Sequence, residues 1–273
     1  MKQVRAKKNL GQHFLTDPAI AERIAASIDD FKGYPVIEVG PGMGILTRAL
    51  LDRGHDLYAI DIDTESIEYL RSTLPRSFVE EGRIIHGDIL HIPDEALIPS
   101  RPNAPFVVIG NYPYNISGRL FFHFFELRHR IPCIAGMLQK EVAKRITASP
   151  GGRDYGILSV LLRSRYKGEY LFTVGKEQFD PKPQVDGGVL RLYWGEEDRI
   201  KDVEALFIKV VKKAFGQRRK MLRNALMPLV KEYNIAPQAI PDALLALMTQ
   251  RAEQLDVEDF LAIAQFLETQ APE

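Results

Sequence analysis

The sequence predicts an α/β fold, a mostly parallel sheet with helices on both faces, followed by a small C-terminal all-helical domain. Three observations lead there. Apolar runs of strand length alternate with helix-period segments between Val36 and Leu138. A glycine-rich turn, Gly40-Pro41-Gly42-Met43-Gly44, directly follows the first of those runs. After Asp198 no run of strand length recurs, and apolar residues fall at helical spacing instead.

The elements follow in chain order. Asp17-Pro18 reads as the N-cap and first residue of a helix reaching Ile28, because proline lacks the N–H that a first helical turn leaves unused. Strands are expected at Val36–Val39, Leu57–Ile60, Ile84–His86, Phe106–Ile109 and Ile134–Leu138; their near-continuous apolar character suits strands covered on both faces. One helix is expected to start after Gly44 and stop at Gly54, and another to span Gly118–Arg128 with Ser117 as its cap. Beyond Leu138 the pattern changes to a helix from Lys140 and strands near Tyr170–Val174 and Val189–Tyr193, which can extend the sheet with antiparallel members. The first domain accordingly spans residues 1–195 and the helical one 196–273, the latter carried by positions such as Leu206, Val210, Ala214, Leu244, Leu247, Phe260, Ile263 and Phe266.

Bulk properties bound the function. A chain of 273 residues that is 45% hydrophobic can bury one large core and still furnish a small second domain. No apolar run approaches the roughly 20 residues of a membrane span. The start, Met1-Lys2-Gln3-Val4-Arg5, is basic with no apolar stretch behind it, so a cytoplasmic protein without a membrane partner is expected. The single cysteine, Cys133, excludes an internal disulfide and a cysteine-based metal cluster, and its neighbours Ile131 and Ile134 suggest a buried strand residue. His55, His86, His91, His123 and His129 lack metal-ligand spacing, so no metal is expected. Lys and Arg total 36, as do Asp and Glu, but the charge is segregated. Lys209, Lys212, Lys213, Arg218, Arg219, Lys220 and Arg223 occur with no acid among them, whereas the tail from Glu253 is acid-rich. Taken alone, such a run is a solvated helix face.

In Glu38-Val39-Gly40-Pro41-Gly42-Met43-Gly44 the missing side chains at Gly40 and Gly42 let backbone approach a ligand closely. The second strand ends in Asp61, where a carboxylate can accept hydrogen bonds from both hydroxyls of a ribose. A further acid, Asp88, follows the third strand in Gly87-Asp88-Ile89 and can accept an adenine amine. Pro41 removes a backbone N–H that a diphosphate grip would use, so the cofactor need not carry phosphate. The combination resembles the S-adenosyl-L-methionine motifs of Rossmann-like class I methyltransferases.

At the end of the fourth strand stands Gly110-Asn111-Tyr112-Pro113-Tyr114-Asn115-Ile116-Ser117. The lone pair on adenine N6 is delocalised into its ring and needs acceptors on its hydrogens before it can attack a methyl group. The Asn111 side-chain carbonyl and the Tyr112 backbone carbonyl are suited to this, Pro113 restricting Tyr112 to an extended conformation. Tyr114 can stack on the base, worth roughly 1–3 kcal/mol.

The whole chain resembles the KsgA family of small-subunit (16S) ribosomal RNA adenine N6,N6-dimethyltransferases. The resemblance is carried by Lys8-Asn9-Leu10-Gly11-Gln12-His13-Phe14-Leu15, Phe179-Asp180-Pro181-Lys182-Pro183-Gln184-Val185-Asp186, Phe215-Gly216-Gln217-Arg218-Arg219-Lys220-Met221-Leu222 and Arg251-Ala252-Glu253-Gln254-Leu255. It implies dimethylation of two adjacent adenosines in a hairpin loop near the RNA 3′ end, within an immature 30S particle, by a monomer acting in ribosome biogenesis. It also implies that His13, Leu15, Gly40, Asp61, Asp88 and Asn111 touch the cofactor, that Phe179 sandwiches the target base, and that the basic segment from Lys209 to Arg223 grips RNA. Asp61 stands where the family commonly has Glu, Tyr112 where Leu is usual, and Gly187-Gly188 where a small polar residue is usual. Two other readings are a large-subunit (23S) ribosomal RNA adenine methyltransferase of the macrolide-resistance kind, and a non-catalytic assembly factor. The helical-domain matches disfavour the first and the intact tetrapeptide the second.

Overall fold

The computed structural model describes residues 4–195 and 197–270; Met1-Lys2-Gln3 of the basic start and the ends of the acid-rich tail lie outside them. The chain forms two compact units. One holds the described residues up to Ala143 together with Gly168–Tyr193, and the other holds Lys144–Lys167 with the described residues from Trp194 onward. The single sequence boundary at residue 195 thus divides the chain differently, because the stretch 144–167 packs with the helices rather than the sheet.

The first unit opens with a short strand β1 (Phe14–Leu15) and helix α1 (Pro18–Ala26), whose N-cap Asp17 accepts from the Ala19 N–H as the Asp-Pro signal requires. Then come β2 (Val36–Val39), α2 (Ile45–Asp52), β3 (Leu57–Asp61), α3 (Thr64–Thr73), α4 (Arg76–Glu80) and β4 (Ile84–His86). They are followed by β5 (Val107–Asn111), α5 (Ser117–Glu126), β6 (Cys133–Gln139) and α6 (Lys140–Thr147), which crosses into the other unit. After α7 (Ile157–Arg163) the chain returns through β7 (Tyr166–Val174), β8 (Phe179–Asp180) and β9 (Gly187–Trp194).

The seven-stranded sheet has the order β4-β3-β2-β5-β6-β9-β7. Strands β4 to β6 run parallel, and β9 returns antiparallel against β6, pairing Cys133 with Tyr193 and Gln139 with Gly187. Every residue of β2 is buried, which explains why three of its four residues are apolar, Glu38 being the exception. Because β2 lies between β3 and β5, the chain winds outward in both directions from it, and its carboxyl end opens the crevice where such sheets bind ligands. Leu50, Val36, Ala59, Val107, Ala135 and Val189 belong to the core beneath, each worth on the order of 1–3 kcal/mol of burial by size.

Two local expectations are corrected. Strand β5 runs to Asn111 rather than ending at Ile109, since Gly110 and Asn111 continue the ladder against Gly136 and Met137 of β6. Ser117 is the first residue of α5 rather than its cap; Ile116 occupies the cap position and gives no side-chain bond. Gly54 ends the α2 segment as read, with φ +75°. Cys133 is buried in β6.

In the second unit, α8 (Glu204–Gly216) packs on α9 (Leu222–Glu232) and α11 (Val257–Thr269), with α10 (Asp242–Leu247) between them in sequence. Leu206, Phe207, Val210, Val211 and Ala214 form the buried face of α8. Tyr155, Phe215 and Phe260 stack in succession, with centroids about 6 Å apart (6.1 and 6.0 Å). Among the described residues, no helix is long and apolar enough to cross a membrane.

Candidate active site

The glycine turn after β2 has backbone that only glycine adopts readily: Gly40, Gly42 and Gly44 have φ of +70°, +55° and +75°. A Cβ at Gly42 would lie 2.8 Å from Phe14 Cε1, so the glycine lets the N-terminal arm close against the turn. At the end of β3, Asp61 is 6% exposed. Its Oδ2 accepts from the Gly42 N–H at 3.2 Å and its Oδ1 from the Asp63 N–H at 2.9 Å, which joins the two loops, and burial pushes its pKa up. Asp88 accepts from the Leu90 N–H through Oδ1 at 3.0 Å and lies 2.8 Å from His91 Nδ1 through Oδ2.

Asn111 closes β5 and faces the arm. Its Nδ2 donates to the His13 carbonyl at 2.9 Å; since that carbonyl can only accept, the amide orientation is settled and Oδ1 is turned away from the arm. The next residue, Tyr112, is held to β6 twice, its N–H donating to Met137 O at 2.8 Å and its hydroxyl to Ala135 O at 2.7 Å. Tyr114 stands across from His13 with ring centroids 5.5 Å apart at 40°. Its hydroxyl is buried and unpartnered, and burial raises its pKa to about 12.

The arm from Lys7 to Leu15 forms one wall. Its β1 pairs antiparallel with β8, and His13 Nδ1 lies 2.7 Å from Pro181 O. Asp63, buried and capping α3, accepts from Lys7 Nζ at 2.5 Å and from Gln12 Nε2 at 2.9 Å.

The fold therefore brings His13, Leu15, Gly40, Gly42, Asp61, Asp88, Asn111, Tyr112, Pro113 and Tyr114 around one cleft. Phe179 is different. It is 4% exposed, belongs to the core cluster and does not line the cleft. Gly187 packs beside it: a Cβ there would lie 3.0 Å from Met137 Sδ and 3.3 Å from Phe179 Cζ. Glu38 escaped the sequence reading as a site residue. It lines the cleft, is 1% exposed and leaves Oε2 unpartnered, and burial pushes its pKa up to about 8. An ionisable residue inside an otherwise apolar strand, two residues before the glycine turn, is the available signal. Lys7, Gln12 and Asp63 were also missed, because their meeting joins segments far apart in the chain.

In the second unit, Lys209 pairs with Glu232, and Arg218 Nε donates to Glu253 at 2.7 Å. Lys212, Lys213, Arg219, Lys220 and Arg223 are exposed and make no ion pair among the described residues. No group of His, Cys, Asp or Glu among the described residues is arranged to hold a metal ion.

Comparison with known proteins places this geometry. A model of the family "Ribosomal RNA adenine dimethylase" matches residues 3–269. Ribosomal RNA small subunit methyltransferase A of Porphyromonas gingivalis is 48% identical over 268 residues, covering 98% of this chain and 100% of that one. Its counterpart in Parabacteroides distasonis is 47% identical over 263 residues, covering 96% and 94%. Among solved structures, a dimethyladenosine transferase from Plasmodium falciparum shares the fold with a TM-score of 0.75 at 24% identity, covering 94% of this chain and 98% of that one. The 23S rRNA methyltransferase ErmE does so with a TM-score of 0.63 at 24% identity, covering 93% and 99%. The chain belongs to the ribosomal RNA adenine dimethylase family, a family of methyltransferases.

Proposed function

We propose that this protein uses S-adenosylmethionine to dimethylate N6 of two adjacent adenosines in a hairpin loop near the 3′ end of 16S ribosomal RNA. It acts as a cytoplasmic monomer on an immature 30S particle. The observation that carries the reading is the settled amide of Asn111 beside the anchored Tyr112, at the mouth of a glycine turn flanked by Asp61 and Asp88. The small-subunit reading is preferred over the large-subunit one because relatives named for the small subunit reach 48% identity over 98% of the chain, against 24% for ErmE.

The cleft suits the cofactor chemically. Asp61 and Asp88 offer acceptors to ribose hydroxyls and an adenine amine, and the unpartnered Oε2 of buried Glu38 offers one to a cationic group. S-adenosylmethionine bound there would supply a methyl on cationic sulfur, with the neutral thioether as leaving group, and N6 would give up one proton for each methyl it takes. Asn111 Oδ1 and the Tyr112 carbonyl accept the amine hydrogens and raise the electron density on N6. Tyr114 stacks on the base, while buried Phe179 supports the pairing of β1 with β8 rather than meeting the substrate in this conformation. Lys209, Lys212, Lys213, Arg218, Arg219, Lys220 and Arg223 are the RNA-binding set.

Asn111→Ala tests the central role. Methyl transfer from labelled cofactor to unmethylated small-subunit particles should vanish while RNA binding persists; near-normal turnover would refute the role. Labelling of naked large-subunit RNA alone would favour the macrolide-resistance reading, and binding of particles by the wild-type protein without any transfer would favour an assembly factor.

A further inference from the structure

We infer that the Tyr112 side chain is a positioning group that holds the amine-accepting carbonyl of its own residue in register, through a socket built into β5 and β6; this rests on the reading of the site proposed above. The socket is made by two glycines. Gly136 has φ +131°, a conformation that L side chains rarely adopt, and a Cβ on it would lie 2.2 Å from Gly110 O and 3.0 Å from Tyr112 Cε2. A Cβ on Gly110 would lie 2.5 Å from Val39 O and 3.3 Å from Tyr112 Cε1. A side chain at either position would collide first with main-chain oxygen and would also press on the Tyr112 ring. Phe121 and Phe124 close the socket, their centroids 5.4 and 5.8 Å from that of Tyr112.

Inside it the hydroxyl donates to Ala135 O at 2.7 Å, and the backbone N–H of the same residue donates to Met137 O at 2.8 Å. Both donors of Tyr112 are thereby committed to β6. Tyr112 as a whole is 1% exposed yet lines the cleft, and its carbonyl is the polar group it has left to offer there. Two attachment points, one on main chain and one at the far end of a rigid ring, restrain rotation of the peptide that carries this carbonyl. A leucine at this position, which the resembling family commonly has, provides only one.

The geometric consequence is kinetic. A carbonyl that drifts by a fraction of an ångström still admits substrate but accepts the amine hydrogen poorly, so the loss should appear in kcat. Tyr112→Phe keeps the ring in the socket and removes only the Ala135 bond; it should lower kcat for methyl transfer about tenfold, leaving KM for RNA and Kd for S-adenosylmethionine within about twofold. Tyr112→Leu should show the same split. Tyr58→Phe is the stability control: in β3 and outside the cleft lining, its hydroxyl lies 2.6 Å from Ser100 Oγ, and its loss should lower the melting temperature without moving kcat. Wild-type kcat in Tyr112→Phe, or a loss confined to KM, would overturn the inference. If Asn111→Ala is dead while Tyr112→Phe turns over normally, the anchor alone falls; if both turn over normally, the reading of the site falls with it.

Discussion

Glu38 shows how a single side chain couples the cleft to pH. Its carboxyl lies on the wall of the cleft, buried, with Oε2 unpartnered and its pKa pushed up to about 8 by burial. Between the ordinary carboxylate range and pH 8 the folded chain keeps this proton while the unfolded chain gives it up. The folded state then binds more protons, so stability falls as pH rises through that window. Glu38→Gln removes the titration and keeps the shape. In the absence of cofactor, the variant should melt higher than wild type near pH 8 and at a similar temperature near pH 5, read by calorimetry across that range. Equal melting curves at both ends would show that Glu38 is already ionised in the folded protein. The same variant should bind S-adenosylmethionine more weakly, because it cannot supply the negative charge that a cationic ligand draws out.

Elements differ in how visible they are in a linear sequence, and length is the reason. Strands β2 and β4 are found at the bounds their apolar runs predict; β2 is buried at every position, while edge strand β4 buries Ile84 and exposes His86. The glycine turn and the tetrapeptide were equally legible, since a positive φ and a polar strand end each leave a local mark. Strands β1 and β8 have two residues each, too few for any periodicity, and they exist because His13 to Thr16 lies against the 178–181 segment. Phe179 is a related case. Its motif points to a base-stacking role, while its burial beside Gly187 joins segments that no local pattern records. The arm also carries a prediction of its own. Lys7 and Gln12 tie it to Asp63, which keeps His13 and Leu15 on the cleft wall. Lys7→Met removes the charged half of this tie and leaves the Gln12 bond and the Asp63 cap of α3 in place. Calorimetric Kd for S-adenosylmethionine should rise about fivefold, which corresponds to a tie worth about 1 kcal/mol. An unchanged Kd would remove the arm's latch from cofactor binding.

Across the whole molecule a net charge of zero hides a division of labour. The linear sequence suggested one boundary near Gly195, whereas the helical unit also recruits residues 144–167, an assignment that depends on contacts such as Arg218 with the carbonyls of Gly152 and Arg153. Those contacts also sort the basic segment. Arg218 and Lys209 are occupied by Glu253 and Glu232, while Lys212 and Arg219 are exposed and make no ion pair among the described residues. A cation that binds phosphate releases counterions from the RNA, and each such contact contributes roughly 0.7–0.9 to the slope of log affinity against log salt. Replacing Lys212 and Arg219 together by Ala should therefore weaken binding to a 16S ribosomal RNA fragment and flatten that slope by about 1.5. Replacing Lys209 and Arg218 should flatten it less, since each must first leave a carboxylate before it can meet a phosphate. The measurement is a titration of binding at several salt concentrations. An unchanged slope in the Lys212/Arg219 variant would take those residues out of the RNA interface, and equal slopes for the two pairs would show that the internal ion pairs open on binding.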